Sequence, residues 1–517
     1  MSNPSLDVLE AAVAAGEREA AFAAALAILN SVNERYGRID AIEGFGLLAE
    51  RRLEQTATRF SAAFGRLVCD LSEPIPPPVF EQLAAHHRWI ELMFLVGGFG
   101  SADHLAPLLA VDEGQGRRVP PRNLARFLLL FSAAAGMKMS LDECLASDDA
   151  ASIAAFLGYL GTRFCFTDEA CALRERLLEW MPERLSRVKL GGIALHAMAS
   201  PYMHCSYASG PRKHAIKRAL IAQARRVCLE AGCAEYEPGA PPGTRDGKPI
   251  LVVTCENFTL GHSVWRTHSR AVEALKESFH VVGALYPQHL SAPVEAVFDE
   301  VLTFKTDVWF LDAMRSLAGE IAALRPAMVL HLGVGMAPYV IALASLRLAP
   351  VQAASFGHTA TTGSPFVDYM ILPDDFVGDP ACFGERLVRL DPKAMPYRPR
   401  DDVDFAGVRA RAAAARGDDD LVKIAVPASV MKLGPPLFDA LARAADAAER
   451  PVKFEIFALG CAGLGHAELK RRLAKRLPMA EVNEELPYDL YIERLAGCDF
   501  FVCPFPYGNM NSIVDAV

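Results

Sequence analysis

At 517 residues the chain is long enough for about three domains, and its 52% hydrophobic content, 22% charge and mean hydropathy of +0.17 are those of a globular protein with substantial cores. A formal net charge of −9 argues against a general nucleic-acid binder, whose affinity comes from neutralising phosphates, but leaves room for a local basic site. The first helix-like stretch carries Glu and Arg through its apolar positions and reads as amphipathic rather than as a signal peptide, and no uncharged run approaches the roughly 18 residues of a membrane span, so a cytoplasmic protein is expected.

Residues 1–235 read as an all-α domain, with helical spacing of apolar residues in Ala20–Leu29, Leu124–Ala135 and Ala151–Tyr159. Proline runs at Pro74–Pro78 and Val119–Pro121 break the series. Pro211–Arg226 is a basic helix whose charges read as a solvated face. The cysteine pairs Cys228/Cys233 and Cys498/Cys503 lack zinc-knuckle spacing. Residues 236–249, rich in Pro and Gly, form a linker. From 250 to 395 strands alternate with helices: strands at Ile250–Thr254, His280–Leu285, Val301–Phe304, Ala327–Leu332, Val351–Phe356, Asp368–Pro373 and Arg386–Leu390. Such alternation implies a parallel sheet covered by helices. A connection through Asp391–Asp420 leads to a second unit, placed at 396–517, with strands at Leu421–Pro427, Val452–Leu459 and Asp499–Cys503. Two doubly wound α/β domains in series, with ligand loops at the strand C-ends, put a cleft between them.

Four loops follow predicted strands: Asn257–Ser263, Gly357–Ser364, Ala428–Gly434 and Pro504–Asn511. The last lies between the closing strand and a helix opening at Ile513–Asp515, where free backbone N–H groups and the helix dipole favour a phosphate and Asp515 is placed to accept from sugar hydroxyls. Lys432 with such donors would stabilise the charge growing on a departing nucleoside diphosphate. Each residue also has a plain structural explanation: His262 as a helix cap, His358 as part of a turn, Lys432 as an exposed loop lysine. No DxD-like pair with supporting ligands stands out, so no metal cofactor is expected.

The motifs ENFTLGHSVWRTHS, FGHTATTGS, DYMILPDDFVG, MKLGP and PFPYGNMNSIVD resemble those of the cytoplasmic bacterial N-glycosyltransferases that modify high-molecular-weight adhesins, in the glycosyltransferase family that includes O-GlcNAc transferase. The resemblance runs from about Ile250 to the end, and the PYMHCSYASGPRKHAIKRAL stretch is similar to that family's all-α domain. It implies a GT-B fold, α/β with two Rossmann-like domains behind an all-α domain, and inverting, metal-independent transfer of glucose from UDP-glucose to asparagine in Asn-X-Ser/Thr of an acceptor protein such as an adhesin. By the same resemblance His262 is a base or positioning group on the acceptor side. Lys432 contacts the UDP phosphates, Asn509, Met510 and Asn511 surround the pyrophosphate, and Asp515 holds the ribose. Ser429 and His358 face the donor, with Gly460 on the same side.

Two positions depart from the family pattern: Cys461 stands where glutamine is usual near the sugar, and Glu485 where a donor-side histidine is expected. Family members continue past the aspartate with further strands and helices, so the second Rossmann-like domain is expected to be incomplete. The alternative readings are a non-catalytic homologue that binds a peptide or partner, and O-linked transfer to Ser/Thr.

Overall fold

The computed structural model describes residues 4–113, 116–133, 150–162, 164–415 and 420–516. In the helical N-terminal region, Leu6–Ala15 buries Leu6, Leu9 and Ala12, and Arg18–Glu34 buries Ala21, Phe22, Ala25, Ile28, Leu29 and Val32. Those three- and four-residue steps put one apolar stripe of each helix inward. The helix Pro121–Leu130 takes up most of the window Leu124–Ala135, whose residues 134 and 135 lie outside the described part, as does Val517. In this region the sequence reading lacks a small antiparallel ribbon of β1 (Val111–Glu113) and β2 (Gly116–Arg118).

The next strands are β3 (Thr244–Arg245), β4 (Lys248–Thr254), β5 (His280–Leu285), β6 (Glu300–Thr303), β7 (Met328–His331), β8 (Val351–Ser355), β9 (Tyr369–Pro373) and β10 (Arg386–Leu390). They form one sheet in the order β10-β9-β8-β7-β4-β5-β6, parallel throughout except for β3, which turns back antiparallel on β4. Val252, Val253, Val281 and Val282 are fully buried, as expected of central parallel strands covered on both faces. The last strands are β11 (Val422–Ser429), β12 (Val452–Leu459), β13 (Ala480–Asn483) and β14 (Phe500–Phe501), parallel in the order β13-β12-β11-β14. Neither β13 nor the helix Phe405–Ala415, which occupies the expected connection, is among the elements read from the sequence.

Two compact units emerge, and they do not follow the segments drawn from the sequence. One comprises Leu178–Ser206 and Gly210–Val403, so the helices Gly192–His204 and Ala215–Glu230 belong with the first sheet. The other joins Met1–Leu177 and Tyr207–Ser209 to Asp404–Val517. Inside that second unit the N-terminal region meets the helix Gly463–Arg476 through a pair of glycines. Leu464 N donates to Gly37 O at 3.0 Å. A Cβ on Gly463, at φ +50°, would lie 2.1 Å from that same oxygen. Only a residue without a side chain lets the two backbones come so close.

The basic helix begins four residues later than expected, at Ala215, and its solvated-face reading fails at one position. Arg225 pairs with Glu235 and Arg226 with Glu230 at the surface, but Lys217 is fully buried.

Candidate functional site

In each sheet the strand order reverses once. β4 continues to β5 and β6 on one side while β7 starts the other, and β11 continues to β12 and β13 while β14 returns on its far side. Loops leaving two strands at such a reversal run in opposite directions and leave a crevice for a ligand.

At the reversal of the second sheet, β11 ends at Ser429 and a 3-10 turn, Val430–Lys432, aims Lys432 at the loop after β14. Lys432 Nζ donates to Gly508 O at 2.7 Å and to Asn509 Oδ1 at 2.8 Å. Asn509 Nδ2 donates back to Pro427 O at 2.6 Å. Tyr507 lies with its ring centroid 5.5 Å from Lys432 Nζ, and the Tyr207 ring lies 5.0 Å from it, ring to ring. Burial lowers the Lys432 ammonium to about 8. The helix Asn511–Ala516 follows, and in its first residue the Asn511 Oδ1 is buried without a hydrogen-bond partner among the described residues. Met510 lies between the two asparagines, half-buried. Asp515, one turn in, accepts from Tyr488 OH at 2.5 Å. The structure thus brings Ser429, Lys432, Asn509, Met510, Asn511 and Asp515 to one strand reversal.

Gly460 stands one strand over, at the C-end of β12, and lines a cavity of about 270 Å³ with Asn33, Glu34, Tyr36, Arg88, Trp89 and Phe164. Trp89 Nε1 and Arg88 both donate to Asn33 Oδ1, so the polar floor of the cavity is fixed by the N-terminal helices. Cys461 beside it is fully buried, and its thiol is pushed up to about 12 by burial. Glu485 faces Arg38 at 3.8 Å, both side chains about half exposed.

At the reversal of the first sheet, Glu256 lies two residues past the end of β4. Its Oε1 accepts from Gly335, Met336 and Ala337 N at 2.8, 2.7 and 2.9 Å, which clamps the loop after β7. The carboxylate is 1% exposed, and burial raises it to about 7 against the pull of those N–H groups. Six residues on, His262 caps the helix Ser263–Leu275, its Nδ1 accepting from Val264 N at 3.2 Å. Burial, with His289 nearby, lowers the ring to about 4, and a hydrogen bond with the Asn257 backbone opposes that shift. The imidazole is therefore neutral at physiological pH, and its Nδ1 lone pair is already engaged. It braces the loop and is not set up as a proton acceptor through Nδ1.

His358 follows β8, 4% exposed, with Nε2 2.9 Å from Ser206 Oγ. Ser206 Oγ in turn lies 3.2 Å from His214 Nε2. His358 and His262 belong to one unit, and the Lys432 group to the other.

Three buried groups, Glu256, Lys217 and Glu385, are missing from the candidate residues read from the sequence. The signal for Lys217 is its register: it precedes Leu220, Ile221 and Ala224 on the buried stripe of its helix. The signal for Glu256 is a carboxylate placed two residues past a run of central-strand residues.

Two parallel α/β sheets with polar loops at their strand reversals, together with an α-helical region, have the architecture of the GT-B fold. A solved structure of a lysine-to-methionine mutant of the Thermobaculum terrenum O-GlcNAc transferase shares the fold, with a TM-score of 0.54 at 14% identity over 96% of this chain and 81% of that one. A family model described as HMW1 domain 2 matches residues 142–227. A UDP-glucose:protein N-beta-glucosyltransferase from Actinobacillus pleuropneumoniae serotype 5b (strain L20) is 31% identical over 537 aligned residues, covering all of this chain and 84% of the relative. Its counterpart from serotype 7 (strain AP76) is 32% identical with the same coverage. The chain belongs to the family of UDP-glucose:protein N-beta-glucosyltransferases.

Proposed function

We propose that this protein transfers glucose from UDP-glucose to the side-chain nitrogen of asparagine in Asn-X-Ser/Thr of an acceptor protein, with inversion and without a metal ion. The observation that carries the reading is Lys432 meeting Gly508 and Asn509 at the reversal of the second sheet. In the reaction the amide nitrogen attacks the anomeric carbon, the bond from that carbon to the β-phosphate oxygen breaks, and the nitrogen sheds its proton to solvent. The leaving UDP gathers negative charge, which the Lys432 ammonium and the N–H groups of the Gly508–Asn511 loop stabilise more than they stabilise the intact donor. Asp515 holds the ribose, Ser429 and His358 face the donor, and Gly460 leaves space for the sugar. His262, neutral and tied at Nδ1, holds the acceptor-side loop in place.

An adhesin is the acceptor that the resemblance of the motifs to the adhesin-modifying family implies. The reaction belongs in the cytoplasm, where UDP-glucose is made and 12 cysteines stay reduced. Among the described residues no helix is long and apolar enough to cross a membrane. The test is incubation of the 517-residue chain with UDP-glucose and a short Asn-X-Thr peptide, read by mass and fragmentation. One hexose on asparagine supports the reading. A hexose on threonine redirects it to O-linked transfer, and no product in the presence of tight UDP binding turns it toward a binding protein.

A further inference from the structure

The loop Gly357–Ser364 has no regular structure, yet its backbone is held from two sides by buried side chains. From the helix Ala215–Glu230, Lys217 Nζ donates to Thr361 O at 2.9 Å and sits 4.7 Å from the centre of the Tyr202 ring. Tyr202, from the preceding helix, donates its hydroxyl to Thr362 O at 2.6 Å. From the start of β10, Glu385 accepts from Thr361 Oγ1 at 2.8 Å, from Thr362 N at 2.6 Å and from the Thr362 hydroxyl. Lys217 and Tyr202 are fully buried and Glu385 is 7% exposed. Gly363 adds a close approach: it sits at φ +66°, and a Cβ there would lie 2.9 Å from Lys217 Cβ and 3.0 Å from Arg218 N.

A buried ammonium is expensive to keep out of water, and here the Thr361 carbonyl, the Tyr202 ring and the nearby charges of Glu385 and Glu256 offset only part of that cost. A protein that needed packing alone would do as well with an apolar side chain of the same length. What the charge supplies is a fixed position for the Thr361 carbonyl, with Glu385 fixing the other side of the same residue. His358 lies three residues upstream on this braced loop, and its ring rests on Ser206, one turn beyond Tyr202.

We propose that Lys217, Tyr202 and Glu385 are positioning residues that hold the Gly357–Ser364 loop so that His358 meets the donor in a single orientation. The inference rests on the reading of His358 as a donor-facing group. Tyr202→Phe removes one hydroxyl and keeps the ring, and Lys217→Met keeps length without charge. Each is made alone and together with His358→Ala. Affinity for UDP-glucose is measured by calorimetry without acceptor, and kcat and KM with an Asn-X-Thr peptide, beside melting temperatures.

The expected result is that Tyr202→Phe and Lys217→Met each lower kcat/KM for UDP-glucose by about ten- to a hundredfold. Added to His358→Ala, each costs no more than about twofold further, because the loop then has nothing left to position. Losses that multiply with that of His358→Ala, or wild-type binding and kinetics in both variants, overturn the inference. If Lys217→Met does not fold, Tyr202→Phe with its double variant decides alone. His358→Ala with unchanged UDP-glucose affinity and kinetics overturns the donor-facing reading itself and the inference with it. Additive losses beside an impaired His358→Ala overturn only the positioning.

Discussion

Two opposing facts meet at the Lys432 side chain. Its ammonium is tied to Gly508 and Asn509, and burial lowers it to about 8. The charge is present below that pH and lost above it. Accordingly kcat/KM for UDP-glucose, which reports the free enzyme, is expected to fall as pH rises through about 8, and Lys432→Arg to push that fall to higher pH. A profile flat to strongly alkaline pH would remove the phosphate role. Lys432→Ala is expected to lower turnover by about a hundredfold or more with little change in melting temperature, checked by kinetics and calorimetry. His262 separates capping from chemistry. His262→Ala loses the cap, about 1 kcal/mol of stability, and impairs acceptor use more than UDP binding. His262→Asn, a good N-cap, should restore stability without restoring turnover. Full activity in the asparagine variant would make His262 a cap and nothing more.

Elements differ in how much of themselves they show in the sequence. The strands at His280–Leu285, Arg386–Leu390 and Val452–Leu459 match the structure residue for residue, the first as an apolar run and the other two as Val-, Leu-, Ile- or Phe-rich stretches interleaved with charged residues between turn signals. The strand Ala480–Asn483 is invisible to that logic. It pairs with one neighbour only, at the sheet edge, and its exposed Glu481 breaks any apolar run. The helix Phe405–Ala415 hides in a stretch of Ala and Arg with hardly any apolar face. The candidate site was legible where it rests on loop chemistry after strands, as at Lys432 and Asn509. It was not legible where a charged residue is buried by packing from afar, as at Lys217, whose partner Thr361 lies 144 residues away. The Gly363 loop gives an element-scale prediction. Gly363→Ala forces a left-handed backbone on a Cβ that has no room, and should cost about 1–3 kcal/mol of stability. Denaturant unfolding measures it, and an unchanged midpoint would mean the loop relaxes freely.

The molecule as a whole is two units, one of them interrupted by the other. A boundary drawn from sequence at residue 235 therefore cuts through the side-chain contacts of the first sheet's unit. A fragment of residues 178–403 is expected to melt cooperatively by itself. A fragment of residues 1–235 should not, because its N-terminal helices lack the helix Gly463–Arg476 that packs on them and its residues 178–235 lack the first sheet. Circular dichroism and tryptophan fluorescence on both fragments check this, and a cooperatively folded 1–235 fragment would contradict it.

The interruption also sets a timetable for synthesis. The N-terminal helices leave the ribosome first, but the helix Gly463–Arg476 that packs on them is made late. All of residues 178–403 must be translated in between, which takes on the order of ten seconds or more at bacterial elongation rates. Throughout that interval the side of the helix His87–Val96 that meets the helix Gly463–Arg476 waits without its final cover. The nascent chain is thus a natural client for a holding chaperone, and the intervening unit is free to fold first while the earlier-made helices wait.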